Sequence, residues 1–144
     1  MNIWTINPDG SGGIPVTQLT AVGADIAGRP SWSFDGGRIA FESRRALDGT
    51  DAANANLTSN IWTVHADGSN PAPVTQLASS GAHSFSAQWS PDGTKLIFVS
   101  RRRLDGSDAI ATTPNNIWMV KADGSGATHL TSLANAGNES PDIP

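Results

Sequence analysis

Trp89-Ser90-Pro91-Asp92-Gly93-Thr94-Lys95-Leu96-Ile97-Phe98 sets a tight-turn signal between two short apolar runs. Gly93 supplies the positive φ that a hairpin turn needs, and Asp92 supplies a side chain that bonds the turn backbone. Leu96-Ile97-Phe98-Val99 is apolar without alternation, as expected of a strand buried on both faces. The same block stands earlier, as Trp32-Ser33-Phe34-Asp35-Gly36-Gly37-Arg38-Ile39-Ala40-Phe41. Ser-Arg-Arg (from Ser43 and Ser100) and Leu-Asp-Gly (from Leu47 and Leu104) follow each copy.

A second unit lies between these blocks. Asn-Ile-Trp occurs at Asn2, Asn60 and Asn116, and Asp-Gly-Ser follows at Asp9, Asp67 and Asp123. Val16-Thr17-Gln18-Leu19, Val74-Thr75-Gln76-Leu77 and Leu130-Thr131-Ser132-Leu133 come next. The period is roughly 57 residues, close to the range of solenoids, propellers and arrays. Each full repeat predicts four strands, one each at Trp-Ser-x-Asp-Gly, Ile-x-Phe, Asn-Ile-Trp and Val-Thr-Gln-Leu. No stretch has helical spacing. Four-stranded sheets in radial repetition make a β-propeller, so the expected fold is all-β, with blades of four antiparallel strands.

The 144 residues form one repeat domain on this reading. Residues 2–19 are the outer half of a blade, 30–77 and 87–133 are full blades, and 137–144 begin a further inner strand. A closed ring needs about four to eight blades, hence more than about 200 residues at this period. Open ends leave strand edges and apolar faces uncovered. The expectation is a partial propeller completed by self-association, other copies of the chain covering its edges; the competing reading is a fragment of a longer array.

The Trp-Ser-Pro-Asp-Gly-Thr-Lys-Leu-Ile-Phe stretch at 89–98 resembles the WD40-like PD40 repeat of TolB-type β-propellers. Asn-Ile-Trp stands where that family has an Ile-Tyr or Ile-Trp strand, and the Asp-Gly turn and Leu-Thr-like outer strand follow. The resemblance spans nearly the whole chain. It implies a periplasmic or extracellular protein-binding scaffold, and it also covers propellers attached to some serine peptidases and a few sugar-acting enzymes. The chain departs from the family in its long segments from Arg44 to Ser59 and from Arg101 to Asn115.

Composition narrows the partners. With 38% hydrophobic residues the chain has enough apolar material for a core. A net charge of −4 argues against nucleic acid, which selects basic surfaces. Cysteine is absent, so disulfides and thiolate chemistry are excluded. No signal peptide precedes the patterned sequence at Met1-Asn2-Ile3-Trp4, and no apolar run is long enough for membrane insertion.

Candidate binding residues concentrate in the two long loops. Five of the seven arginines lie there, at Arg44, Arg45, Arg101, Arg102 and Arg103. Guanidinium groups take carboxylates or phosphates bidentately. The bland alternative pairs them with Asp48, Asp51, Asp105 and Asp108, tying the loops down. Leu-Asp-Gly-Thr-Asp (47–51) and Leu-Asp-Gly-Ser-Asp (104–108) offer oxygens of the kind calcium takes. They lack EF-hand spacing and a closing glutamate, and turn chemistry accounts for them, so no metal and no cofactor is assigned. The recurrent tryptophans read as packing residues.

Catalytic residues are not assigned either. His65, His83 and His129 occupy unrelated repeat positions, without zinc-ligand spacing. There is no Gly-x-Ser-x-Gly elbow, and Glu42 and Glu139 are the sole glutamates. The expected function is non-enzymatic: a scaffold for protein–protein interaction or self-assembly that binds a protein or peptide through its rim loops. A central mouth lined by Ser31, Ser33, Gln88 and Ser90 is the other expected binding surface. The alternative is a propeller piece accessory to a hydrolase or a sugar-active enzyme.

Overall fold

The computed structural model describes residues 1–110 and 115–133; the expected further strand at 137–144 lies outside them. Ten strands occur in the order β1 (Trp4–Thr5), β2 (Ile14–Pro15), β3 (Ile26–Trp32), β4 (Arg38–Ser43), β5 (Asn60–His65), β6 (Ala72–Pro73), β7 (Ser84–Trp89), β8 (Lys95–Ser100), β9 (Asn116–Lys121) and β10 (Thr128–His129). The described residues contain no helix. β1 and β2 form a two-stranded sheet, β3-β4-β5-β6 one four-stranded sheet, and β7-β8-β9-β10 another. All pairings are antiparallel. The architecture is a partial β-propeller with blades of four strands.

Local chemistry explains the strand boundaries. At the first hairpin the Ser33 hydroxyl donates to Asp35 Oδ1 at 2.6 Å, and the Gly37 N–H donates to the same oxygen at 3.0 Å. Ser90 and Asp92 repeat this, with Thr94 N–H donating to Asp92 at 3.0 Å. The Asn-Ile-Trp and Val-Thr-Gln-Leu motifs are two halves of one clasp. Asn60 Oδ1 accepts from the Leu77 N–H at 2.8 Å and from the Thr75 hydroxyl at 2.9 Å, and the Ile61 N–H donates to Thr75 Oγ1 at 2.9 Å. Asn2 with Thr17 and Leu19, and Asn116 with Thr131 and Leu133, make the same bonds. Side chains thus complete an outer strand whose backbone ladder is only two residues long.

The inner strands start at Ile26 and Ser84, upstream of the 30 and 87 boundaries read from the sequence. A register shift lies in each, between Ile26 and Ser31 and between Phe85 and Gln88. These bulges let the strand pair on past a kink that the residue pattern hides.

Alternate residues of each strand point to opposite faces, and the two faces meet different neighbours. Ile39, Phe41, Trp62 and Val64 pack against Ile3 and Val16 of the first half blade. Ala40, Ile61 and Val74 pack against Ala87, Leu96, Phe98, Trp118 and Val120 of the next blade. Fully burying one such large side chain contributes about 1.5–3 kcal/mol, so the blade–blade seams are the core.

Candidate functional site

The two long loops fold alike. A bridge between Arg45 and Ala53 closes one, and a bridge between Arg102 and Ile110 closes the other. The Arg45 guanidinium lies 4.9 Å from the Trp62 ring centre and donates to the Gly49 carbonyl. Arg102 lies 4.6 Å from the Trp118 ring centre and donates to Gly106. Burial lowers the pKa of both guanidinium groups, against the pull of Asp51 and Asp48 in one loop and of Asp108 and Asp105 in the other; both stay charged at neutral pH.

The loop arginines and aspartates do not pair. Met1 with Asp25 is the only ion pair among the described residues. Asp48 accepts from the Thr50 N–H at 2.9 Å, and Asp105 accepts from Ser107 at 2.8 Å, each within its own turn. Asp51 reaches back to the preceding blade, where the Thr20 N–H donates at 2.9 Å and the Ala21 N–H at 3.1 Å. Asp108 does the same to Ala78 at 2.7 Å and Ser79 at 2.9 Å. Each loop is therefore a strap from one blade to the end of its neighbour's outer strand. The carboxylates do not gather into a metal-binding set: no group of three His, Asp or Glu able to hold an ion occurs among the described residues.

Arg44 and Arg101 differ from the other loop arginines and aspartates. With Arg29, Glu42, Ser59, His83 and Phe85 they line a cleft of ≈ 310 Å³ between the two complete blades. Arg29 comes from β3, Glu42 from β4 and Phe85 from β7, while His83 and Ser59 stand just before β7 and β5. Arg44 Nε is 3.5 Å from Ser59 Oγ, and Arg101 Nε donates to Asn115 Oδ1 at 3.3 Å. Arg29 donates to the Ser86 hydroxyl. Buried Glu42 accepts from the Ser86 N–H at 2.6 Å. The Ser59 N–H donates to His83 Nδ1 at 3.0 Å. Desolvation, then Arg101 and Arg44, push the His83 pKa below 6.5, so its ring is neutral at pH 7 with the proton on Nε2.

Of the expected mouth residues, Ser33 and Ser90 are committed to their turns, and the Ser31 carbonyl accepts from the Trp89 indole N–H at 3.1 Å. Sequence reading passed over Arg29 and Glu42 as cleft residues. A signal was present, since Arg29 stands where the next repeat has Ser86, and a departure from a repeat marks a position freed from its common structural task.

Solved structures share this architecture. A TolB assigned in Agrobacterium tumefaciens matches with 25% identity and a TM-score of 0.62, over 92% of this chain and 42% of that one. TolB from Acinetobacter baumannii matches at 20% identity and a TM-score of 0.60, over 91% of this chain and 26% of that one. An oligogalacturonate lyase in complex with manganese matches at 20% identity and a TM-score of 0.58, over 92% and 30%. No protein-family model and no curated protein matches the sequence. The chain has a TolB-like β-propeller fold, and it spans less than half the length of each of these structures.

Proposed function

We propose that this chain is a non-enzymatic scaffold of the TolB-like, PD40-repeat kind, which joins further propeller blades through its two ends, those blades being supplied by other copies of itself. One comparison carries the reading. Trp4, Trp62 and Trp118 occupy the same blade position, yet Trp62 is 0% and Trp118 1% exposed while Trp4 is 62% exposed. The opposite end shows the converse: Ile61 is buried against the next blade, while Ile117 is 41% exposed. Positions that form the seam between complete blades are bare at the ends, and bare apolar patches mark association surfaces.

The leading end is also grooved. Ile3, Trp4, Ile6, Pro30, Trp32 and Ile39 line a space of ≈ 260 Å³ beside β1, at the edge where a complete blade carries its inner strand pair. An added strand there gains backbone bonds along a free edge and apolar contacts below it. The rim loops are the proposed surface for a protein or peptide ligand, and the likeness to TolB structures supports a periplasmic or extracellular setting for such a scaffold. A hydrolase-accessory role is the second reading, supported by the partial coverage of longer enzymes, among them the tricorn protease at 15% identity.

Light scattering on a sizing column, over a range of concentrations, tests the scaffold reading. A defined oligomer that dissociates on dilution is expected. A monodisperse monomer at every concentration sinks self-association.

A further inference from the structure

We propose that the inter-blade cleft at Arg29, Arg44 and Arg101 is a binding site for a small dianion, a dicarboxylate or a tetrahedral oxyanion held between guanidinium forks. In a chain of net charge −4, three guanidinium groups line one cleft of ≈ 310 Å³ with a single carboxylate, Glu42. None of the three has a carboxylate within ion-pair distance among the described residues. Their hydrogen-bond partners are the neutral Ser59, Asn115 and Ser86. Glu42 bonds the Ser86 backbone instead. Two positive charges are left uncompensated, which sets the charge of the ligand that neutralises the cleft.

The backbone is built around this place. Arg29 and Ser86, at equivalent repeat positions, hold φ of 57° and 58°. Left-handed backbone at a non-glycine residue is uncommon and costly. Both lie in the bulged part of their strands, where a bulge re-aims side chains. Keeping this conformation in two successive blades puts the Arg29 side chain across to the next blade, onto Ser86. Neutral His83 adds an N–H donor, and Phe85 adds an apolar wall for a carbon skeleton. Planar guanidinium groups take both carboxylate and tetrahedral oxyanions in bidentate fashion, so the site chemistry is shared and the probes separate the two. The cleft belongs to the two complete blades, and its occupancy is independent of whether copies of the chain associate.

Isothermal titration calorimetry on the full chain, with sodium sulfate, sodium succinate and the neutral diamide succinamide, tests this. Saturable binding of at least one dianion, with none for succinamide, is expected. Succinate alone assigns a dicarboxylate; sulfate alone assigns a tetrahedral oxyanion. Arg44→Gln and Arg101→Gln each weaken binding about tenfold, as loss of a charge-assisted bond does. Arg103→Gln, outside the cleft, leaves it unchanged. Arg44 and Arg101 are exposed, and unchanged melting temperatures confirm that the variants fold. No saturable heat from either dianion, equal heat from succinamide, or undiminished binding in both Gln variants overturns the site.

Discussion

Arg102 lies over the face of a tryptophan that is almost wholly buried, and its guanidinium also donates to the Gly106 carbonyl. A cation over an indole contributes about 0.5–2 kcal/mol according to its desolvation, and a hydrogen bond from a charged group about 1.5–3 kcal/mol. Arg102→Ala is therefore expected to destabilise the fold by about 2 kcal/mol, read as a shift in the urea midpoint at constant slope. Arg102→Lys recovers only part, because an ammonium has no planar fork. Arg103→Ala, one residue on and exposed, costs under about 0.5 kcal/mol. Equal effects at 102 and 103 would show that the stacked pair contributes nothing. The sequence displayed these arginines as a run of like charges. It could not separate the one that covers a ring from the one that faces the cleft, because the covered ring lies across the blade, at Trp118.

At the scale of the element, the Asp-Gly-Ser turn provides an internal control. Gly10, Gly68 and Gly124 hold φ of 83°, 86° and 85°. A Cβ on Gly68 comes within 2.9 Å of the Val16 carbonyl, and one on Gly124 within 3.1 Å of the Val74 carbonyl, while one on Gly10 meets nothing within 4 Å. In an isolated copy Gly10→Ala carries only the cost of the left-handed backbone, about 1 kcal/mol. Gly68→Ala adds displacement of a neighbouring blade's backbone, so its melting temperature should fall further than that of Gly10→Ala. Identical losses would mean that the turn does not bear on the preceding blade.

The aspartates of these turns and of the two Trp-Ser-x-Asp-Gly hairpins also link stability to pH. Hydroxyl and backbone N–H bonds hold Asp9, Asp35, Asp67 and Asp123 below the ordinary carboxylate value of 3.8, and Asp92 at about 2. A depressed folded pKa gives stability that is complete above the unfolded value and is lost as pH falls through the folded one. The melting temperature should ease down below about pH 6.5, where the unfolded chain protonates His83 before the folded one does, and drop further between about pH 4 and pH 2. A level profile down to about pH 2 contradicts the linkage.

The turns, the Asn-Ile-Trp strands and the four-strand grouping were legible because each rests on contacts within one repeat and so recurs with it. The straps were not. Asp51 and Asp108 look like calcium or salt-bridge residues within their own loops, yet their partners lie 31 and 30 residues earlier, on the preceding blade. Periodicity reports what a repeat does for itself. What it does for its neighbour needs the blades side by side.

For the whole molecule, the direction of the chain decides which kind of contact the proposed self-association takes. The face bearing Trp62 looks toward the preceding blade and the face bearing Ile61 toward the following one. The bare leading end thus presents Trp4 and Trp32, and the bare trailing end presents Ile97 and Ile117. On that proposal the leading end of one copy fits the trailing end of another, which makes the contact heterologous, head to tail, closing if the rotation per copy closes and running on if it does not. Spoiling either end should therefore stop growth. Trp4→Glu and Ile117→Glu are each expected to be monomeric alone, since both residues are exposed and their loss leaves the internal seams intact. Mixed together they should form a capped dimer, the intact trailing end of the first seated on the intact leading end of the second. Pairing of two like ends predicts otherwise: one variant would still dimerise alone, and mixing would add no new species. Light scattering of the two variants, separately and at equal ratio, distinguishes these assemblies.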